Sequence, residues 1–122
     1  MSWFSKKEKK TSIPWVELTT IEQLEQIKKD SEQKAIGIFK HSTRCSISTM
    51  AKSRLEREWD LDNEKITMYY LDLLQYRNIS NAIESTFGVT HQSPQLILIQ
   101  NQEAVYVTSH SAISAQELKN KL

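Results

Sequence analysis

The chain contains a single cysteine, Cys45, at the point where a short polar turn leads into a predicted helix. The first N–H groups of a helix have no partners within it, and the aligned peptide dipoles place partial positive charge at the same end. Both effects favour a thiolate over a thiol, and the thiolate is the nucleophilic form of cysteine. Arg44 adds a full positive charge beside it. Cys45 is therefore the candidate nucleophile, suited to thiol–disulfide exchange.

The residues around Cys45 are mostly short and polar. The predicted active-site loop consists of Thr43, Arg44, Ser46, Ile47 and Ser48. Ser48 stands where a dithiol enzyme has the second cysteine that resolves its mixed disulfide. A serine cannot resolve that disulfide, so the sequence predicts a monothiol mechanism. We expect the Ser48 hydroxyl to hydrogen-bond the Cys45 thiolate and to favour the charged form.

Three other side chains near the predicted loop have more than one interpretation. Arg44 is either a solvated surface charge or a substrate clamp. His41 lies four residues before Cys45 and is either a residue that tunes the thiol or a solvated loop histidine. His41, Cys45 and His91 together lack the ligand spacing of a zinc site, so no metal site is predicted.

Apolar runs place Cys45 within an alternating order of strands and helices. The predicted strands are Trp15–Leu18, Ala35–Phe39, Ile66–Leu71, Gln95–Gln100 and Ala104–Thr108. The second strand is apolar without alternation, which is typical of a strand buried on both faces of a parallel sheet. Intervening helices indicate right-handed crossovers, and the last two strands form a hairpin. The sequence predicts an α/β fold with a mixed central sheet and helices on both faces.

The helix after Cys45 is predicted from one apolar stripe. Its members are Ile47, Met50, Ala51, Leu55 and Trp59. Their spacing follows one helical face, so we expect all of them to face the core. Thr19 and Glu22 fit a capping box for the first helix, and Gly88 is placed to end the third.

Composition and charge limit the class of protein. A chain of 122 residues, 39% hydrophobic, suits one domain with one core. We expect residues 13–122 to form that domain and the basic segment 1–12 to be a flexible tail. A net charge of +1 gives no bias toward nucleic acid, and no apolar run would span a bilayer. One cysteine and no secretory signal predict a cytoplasmic protein, and a monomer is the simplest state.

Two local motifs resemble a known family. Thr43-Arg44-Cys45-Ser46-Ile47-Ser48 occupies the slot of a redox C-x-x-C motif, and His91-Gln92-Ser93-Pro94-Gln95 occupies that of a proline loop. With Arg77, Ser80 and Asn81 on the preceding helix, they resemble the monothiol bacilliredoxins, the YtxJ-like proteins of the bacillithiol system, within the thioredoxin-like superfamily. The resemblance covers roughly Trp15 to Leu122. Ser46 replaces a proline usual in that motif, which alters the first helical turn without removing the nucleophile.

The resemblance implies a monothiol oxidoreductase that removes bacillithiol from mixed disulfides on client proteins. Cys45 would attack the bacillithiol sulfur, release the client thiol and carry bacillithiol itself. The resemblance also implies that Pro94 follows a cis peptide bond and that the Ser93 backbone pairs with the bound thiol. Bacillithiol as thiol substrate and bacillithiolated clients are the implied partners, and no bound cofactor is implied.

Two other functions fit the same fold. Monothiol glutaredoxins that hold an iron–sulfur cluster have Cys-Gly-Phe-Ser in this slot. This chain has Cys45-Ser46-Ile47-Ser48, without the glycine that lets a cluster approach the backbone. The absorbance spectrum of the purified protein would reveal a cluster. The other alternative is a non-catalytic thioredoxin-like adaptor with an inert thiol.

Overall fold

The computed structural model describes residues 13–122, and the predicted flexible tail, residues 1–12, lies outside them. The strands in the described part are β1 (Val16–Glu17), β2 (Ala35–His41), β3 (Ile66–Asp72), β4 (Gln95–Gln100) and β5 (Glu103–Ser109). The helices are α1 (Glu22–Asp30), α2 (Ser46–Arg57), α3 (Arg77–Phe87) and α4 (Ala115–Asn120), with a 3-10 turn at His110–Ala112. No helix of residues 13–122 is long and apolar enough to cross a membrane.

The five strands form one sheet in the order β1-β3-β2-β4-β5. Strands β1, β3 and β2 are parallel, whereas β4 runs antiparallel to β2 and β5 antiparallel to β4. Helices α2 and α4 pack on one face through residues such as Leu55 and Leu118. Helices α1 and α3 pack on the other face through residues such as Leu24 and Ile83. The predicted mixed sheet with helices on both faces is confirmed.

Strand β2 lies at the centre of the sheet and carries the chain to Cys45. All seven of its residues are buried, which explains its apolar sequence without alternation. The strand continues past the predicted end at Phe39 to include Lys40 and His41. Because successive side chains of a strand point to opposite faces, these two polar residues lie on opposite sides of the sheet. Each is buried, and each therefore needs a polar partner.

The helix boundaries agree in part with the sequence. The capping pair of α1 is Thr20 and Gln23, one residue later than the predicted Thr19 and Glu22. The Thr20 N–H donates to Gln23 Oε1 at 3.0 Å, and the Gln23 N–H donates to Thr20 Oγ1 at 3.3 Å. Gly88 follows α3 with a φ of +67°, the left-handed conformation that glycine adopts without strain.

Candidate active site

Cys45 occupies the N-cap position of α2, as predicted. Its backbone is extended (φ −108°, ψ 120°), and its carbonyl accepts the first helical hydrogen bond, from the Thr49 N–H at 3.0 Å. The Cys45 N–H donates to the Ser42 carbonyl at 3.2 Å, which closes the turn after β2. The Cys45 side chain is half-buried. The thiol is therefore reachable at a helix N-terminus, where backbone N–H groups and the helix dipole favour negative charge.

The other residues of the predicted loop fall into two groups. Thr43, Arg44, Ser46 and Ile47 are exposed around the cysteine. Ser46 is the first residue of α2 and stands on the surface. Ser48 is fully buried and faces the sheet.

The predicted hydrogen bond from Ser48 to the Cys45 thiolate is wrong. Ser48 Oγ accepts the Ser42 N–H at 3.1 Å and lies 2.6 Å from His41 Nδ1. The hydroxyl has one hydrogen and two lone pairs, so it can accept from Ser42 and also pair with the histidine nitrogen, and the imidazole tautomer sets which of the two donates. Both of these partners lie at the end of β2 or just after it. Ser48 thus ties α2 to the turn that carries Cys45.

His41 is the partner that makes this arrangement possible, and it is not a loop residue. It ends β2, is 5% exposed, and its ring stacks on Phe39 with a centroid distance of 5.9 Å. Burial first, and then the Lys52 charge, lower the pKa of His41, against the opposing effects of Asp72 and Glu56. The imidazole is therefore neutral at pH 7 and can accept at Nδ1. The sequence missed this role because the strand was predicted to end two residues earlier.

The proline loop leaves the sheet beside the cysteine turn. Lys40 and Gln95 are paired across β2 and β4, so the turn after β2 and the loop before β4 emerge at the same edge. The Ser93–Pro94 peptide bond is cis, as expected. Pro94 is buried, and its carbonyl accepts the His110 N–H at 3.1 Å. Ser93 Oγ is buried without a hydrogen-bond partner among the described residues.

Two members of the predicted core stripe of α2 are on the surface. Ile47 is 53% exposed and Met50 is 65% exposed. The buried residues of the helix are Ser48, Ala51 and Leu55, a stripe rotated by one residue. A serine can take the first core position here because His41 and Ser42 satisfy its hydroxyl. The larger apolar side chains are consequently turned outward.

The exposed apolar side chains border a groove of about 340 Å³. Its lining residues are Ile47, Met50, Arg54, His110 and Ser111. The side chain of Arg54 is held in place by a hydrogen bond from Nη2 to the Ile113 carbonyl at 3.0 Å. His110 also donates its N–H to Pro94, so the groove adjoins the proline loop. No cluster of three or more His, Cys, Asp or Glu side chains able to hold a metal occurs within residues 13–122.

A mixed five-stranded sheet in this order, with a cysteine at the N-cap of α2 and a cis-proline before β4, defines a protein of the thioredoxin-like fold. The family described as Monothiol bacilliredoxin BrxC matches residues 16–118, and the chain belongs to this family. The resemblance noted from the sequence is confirmed. Membership implies a monothiol redox role, in agreement with the single cysteine.

Solved structures agree with this assignment. One, provisionally described as an oxidoreductase with a thioredoxin fold, is 30% identical with a TM-score of 0.74, over 87% of this chain and 91% of that one. The thioredoxin of Trypanosoma brucei brucei is 14% identical with a TM-score of 0.68, over 94% and 95% of the two chains. The thioredoxin of Malassezia sympodialis is 16% identical with a TM-score of 0.66, over 86% and 84%. The two thioredoxins support the fold alone.

Proposed function

We propose that this protein removes bacillithiol from mixed disulfides on client proteins, with Cys45 as the nucleophile. The observation that carries the proposal is a reachable thiol at the N-cap of α2, the only cysteine in the sequence. The Cys45 thiolate attacks the bacillithiol sulfur, and the bond from that sulfur to the client breaks. The client sulfur leaves with the bonding electron pair and takes a proton. One disulfide is exchanged for another, so no external oxidant is needed.

Release of bacillithiol from Cys45 needs a second thiol from outside the chain. Position 48, where a dithiol enzyme has its resolving cysteine, holds a buried serine that is hydrogen-bonded to His41 and Ser42. A low-molecular-weight thiol or a separate reductase would attack the Cys45 adduct and regenerate the thiolate. The Cys45–bacillithiol adduct should therefore accumulate when no such thiol is present.

The groove beside Cys45 supports a protein as the substrate. Ile47 and Met50 expose apolar surface within the first two turns of α2, next to the proposed nucleophile. We propose that the groove takes an apolar side chain of the client close to its modified cysteine. Backbone pairing with Ser93, as in strand addition, would align the client disulfide with Cys45.

Replacing Met50 by glutamate should distinguish binding of the client protein from reaction with the small thiol. Because Met50 is 65% exposed, the variant should fold normally. A carboxylate in the groove would have to be desolvated by an apolar client side chain, so client exchange should slow by about tenfold. Exchange with the symmetrical disulfide of bacillithiol should keep its rate. Met50→Leu is the matched control, and equal losses for both substrates would contradict a client-binding groove.

The proposed activity is tested by mixing the reduced protein with a client protein that carries bacillithiol on one cysteine. We expect the client thiol to appear with time in a reaction that contains the wild-type protein. Cys45→Ala should release none above the uncatalysed rate. The same assay with glutathione or coenzyme A on the client measures selectivity for the small thiol. Equal rates of release with the wild type and with Cys45→Ala would refute the proposal.

A further inference from the structure

We infer that Lys40, a buried residue on the opposite face of the sheet from His41, is a positioning residue for the exchange reaction, acting on the proline loop through His91. The inference rests on the proposed function, since it assigns Lys40 a part in the same site. Lys40 precedes the last residue of β2, and its side chain is 0% exposed. Its Nζ lies 2.8 Å from His91 Nδ1.

The surroundings of Lys40 are unusual for a lysine. Buried ammonium groups are rare and are normally paired with a carboxylate. Within residues 13–122, no carboxylate comes within ion-pair distance of Lys40, and its hydrogen-bond partner is the imidazole of His91. Ser80 Oγ lies 3.5 Å from the same imidazole nitrogen. The Lys40 ammonium is therefore hydrogen-bonded to a residue of the proline loop and not paired with a carboxylate.

The chemistry of the pair fixes the state of His91. An ammonium group has donors only, so Nδ1 of His91 must accept and its proton lies on Nε2. Partial desolvation of the imidazole first, then the charges of Lys40 and Arg77, lower the pKa of His91, while Glu84 raises it. His91 is consequently neutral at pH 7. Arg77 and Glu84 of α3 are the other charged groups that act on this pair.

Lys40 and Gln95, which are neighbours across β2 and β4, contact two consecutive residues of the proline loop, Thr90 and His91. Lys40 faces Gln95 in the antiparallel register of β2 and β4. Gln95 Nε2 donates to the Thr90 carbonyl at 2.9 Å, while Lys40 holds His91. Beyond them the chain reaches Pro94 at the edge where the cysteine turn also emerges. The position of the loop relative to Cys45 thus depends on the Lys40–His91 contact.

The strength of that contact should change with the charge of Lys40. Burial, only partly offset by Glu84, lowers the pKa of Lys40 to about 8. A hydrogen bond donated by an ammonium group is about twice as strong as one donated by a neutral amine. The loop should therefore be held less firmly as the pH rises through this range, and exchange per Cys45 thiolate should fall.

The test compares two substitutions at His91, which is exposed and so tolerates change. Asparagine places Oδ1 near the position of the imidazole Nδ1 and keeps an acceptor for Lys40, whereas alanine removes it. Exchange with a bacillithiolated client is measured from about pH 6.5 to 9.5, and each rate is divided by the thiolate fraction of Cys45 from ultraviolet absorbance. Wild type and His91→Asn should show a fall near pH 8. His91→Ala and Lys40→Met should be about tenfold slower at pH 7 and show no fall.

Three readouts separate the possible explanations. Alkylation of Cys45 by iodoacetamide needs only the thiolate, so it should proceed equally in all variants. Lys65→Met changes an exposed lysine near the start of β3 and should match the wild type. Wild-type rates and pH dependence in His91→Ala and Lys40→Met, or identical behaviour of His91→Asn and His91→Ala, would overturn the inference and leave the proposed function standing. Absence of client release by the wild type would instead reject the proposed function itself.

Discussion

Replacing Lys40 by methionine is expected to stabilise the protein by about 2 kcal/mol at pH 7. Burial lowers the pKa of Lys40 from 10.5 to about 8, and each pKa unit corresponds to about 1.4 kcal/mol. Keeping the ammonium charged at pH 7 therefore costs the folded state about 3 kcal/mol. Methionine has a similar length and no charge, and it gives up one hydrogen bond, worth about 1 kcal/mol. Urea unfolding at pH 7 measures the difference.

The stabilisation should depend on pH in a defined direction. Between about pH 8 and 10.5 the unfolded chain binds more protons at Lys40 than the folded chain does. The free energy of unfolding of the wild type therefore increases as the pH rises through this range. The advantage of Lys40→Met should shrink over that range and be lost above it. Lys65→Met, at an exposed site, should change stability by less than about 0.5 kcal/mol. A destabilised Lys40→Met protein, or an advantage independent of pH, would contradict this account.

Replacing Ser48 by alanine is expected to destabilise the protein by about 2 kcal/mol. The hydroxyl is fully buried and serves both His41 and the Ser42 N–H. Its removal leaves a buried imidazole nitrogen and the Ser42 N–H without their partner, and an unsatisfied buried group costs about 1–3 kcal/mol. The pKa of His41 should also shift: a rise would show that the hydroxyl donates to Nδ1, and a fall that Nδ1–H donates to the hydroxyl. Chemical unfolding and an NMR titration of His41 test the two effects.

Ser53 provides the matched control for that substitution, since it is an exposed serine of the same helix. Ser53→Ala should be neutral or slightly stabilising, because alanine has the higher helix propensity. Equal stability of the Ser48 and Ser53 variants would show that the hydroxyl of Ser48 contributes nothing to the fold. That result would contradict the role of Ser48 in connecting α2 to the turn before Cys45.

The sequence was sufficient for the parts of the fold set by strong local patterns. The apolar run from Ala35 identified the central strand, and the change from strand to helix located Cys45 at the N-cap of α2. The resemblance supplied the cis-proline before β4, which the structure shows at Pro94. These features rest on burial, helix termini and the proline imide bond, all of which can be recognised within a few residues.

Helical periodicity was insufficient to choose between two adjacent stripes of α2. Ile47 and Met50 are apolar and have the spacing of a core face, yet Ser48 and Ala51 take that face. The choice depends on His41, a strand residue that satisfies the serine hydroxyl. A contact between two elements of this kind has no local signature. The exposed side chains of Ile47 and Met50 are consequently the observation on which the proposed client-binding groove rests.

The buried polar end of β2 was missed for a related reason. Lysine is mostly exposed in folded proteins and histidine is intermediate, so the sequence predicted that the strand ends before Lys40 and His41. In the folded chain α2 covers one and the proline loop covers the other. Both side chains contact elements that flank the proposed nucleophile. If Lys40→Met is more stable but slower in exchange, the lysine is an example of stability given up for activity.

The central claim is that Cys45 accepts bacillithiol from a client protein. The most direct measurement is the intact mass of both proteins after the reduced wild type is mixed with a bacillithiolated client, with no other thiol present. We predict that the wild type gains the mass of one bacillithiol, at Cys45 by peptide mapping, and that the client loses the same mass. Cys45→Ala should gain nothing and leave the client unchanged. An unmodified wild-type protein beside an unchanged client would contradict the account.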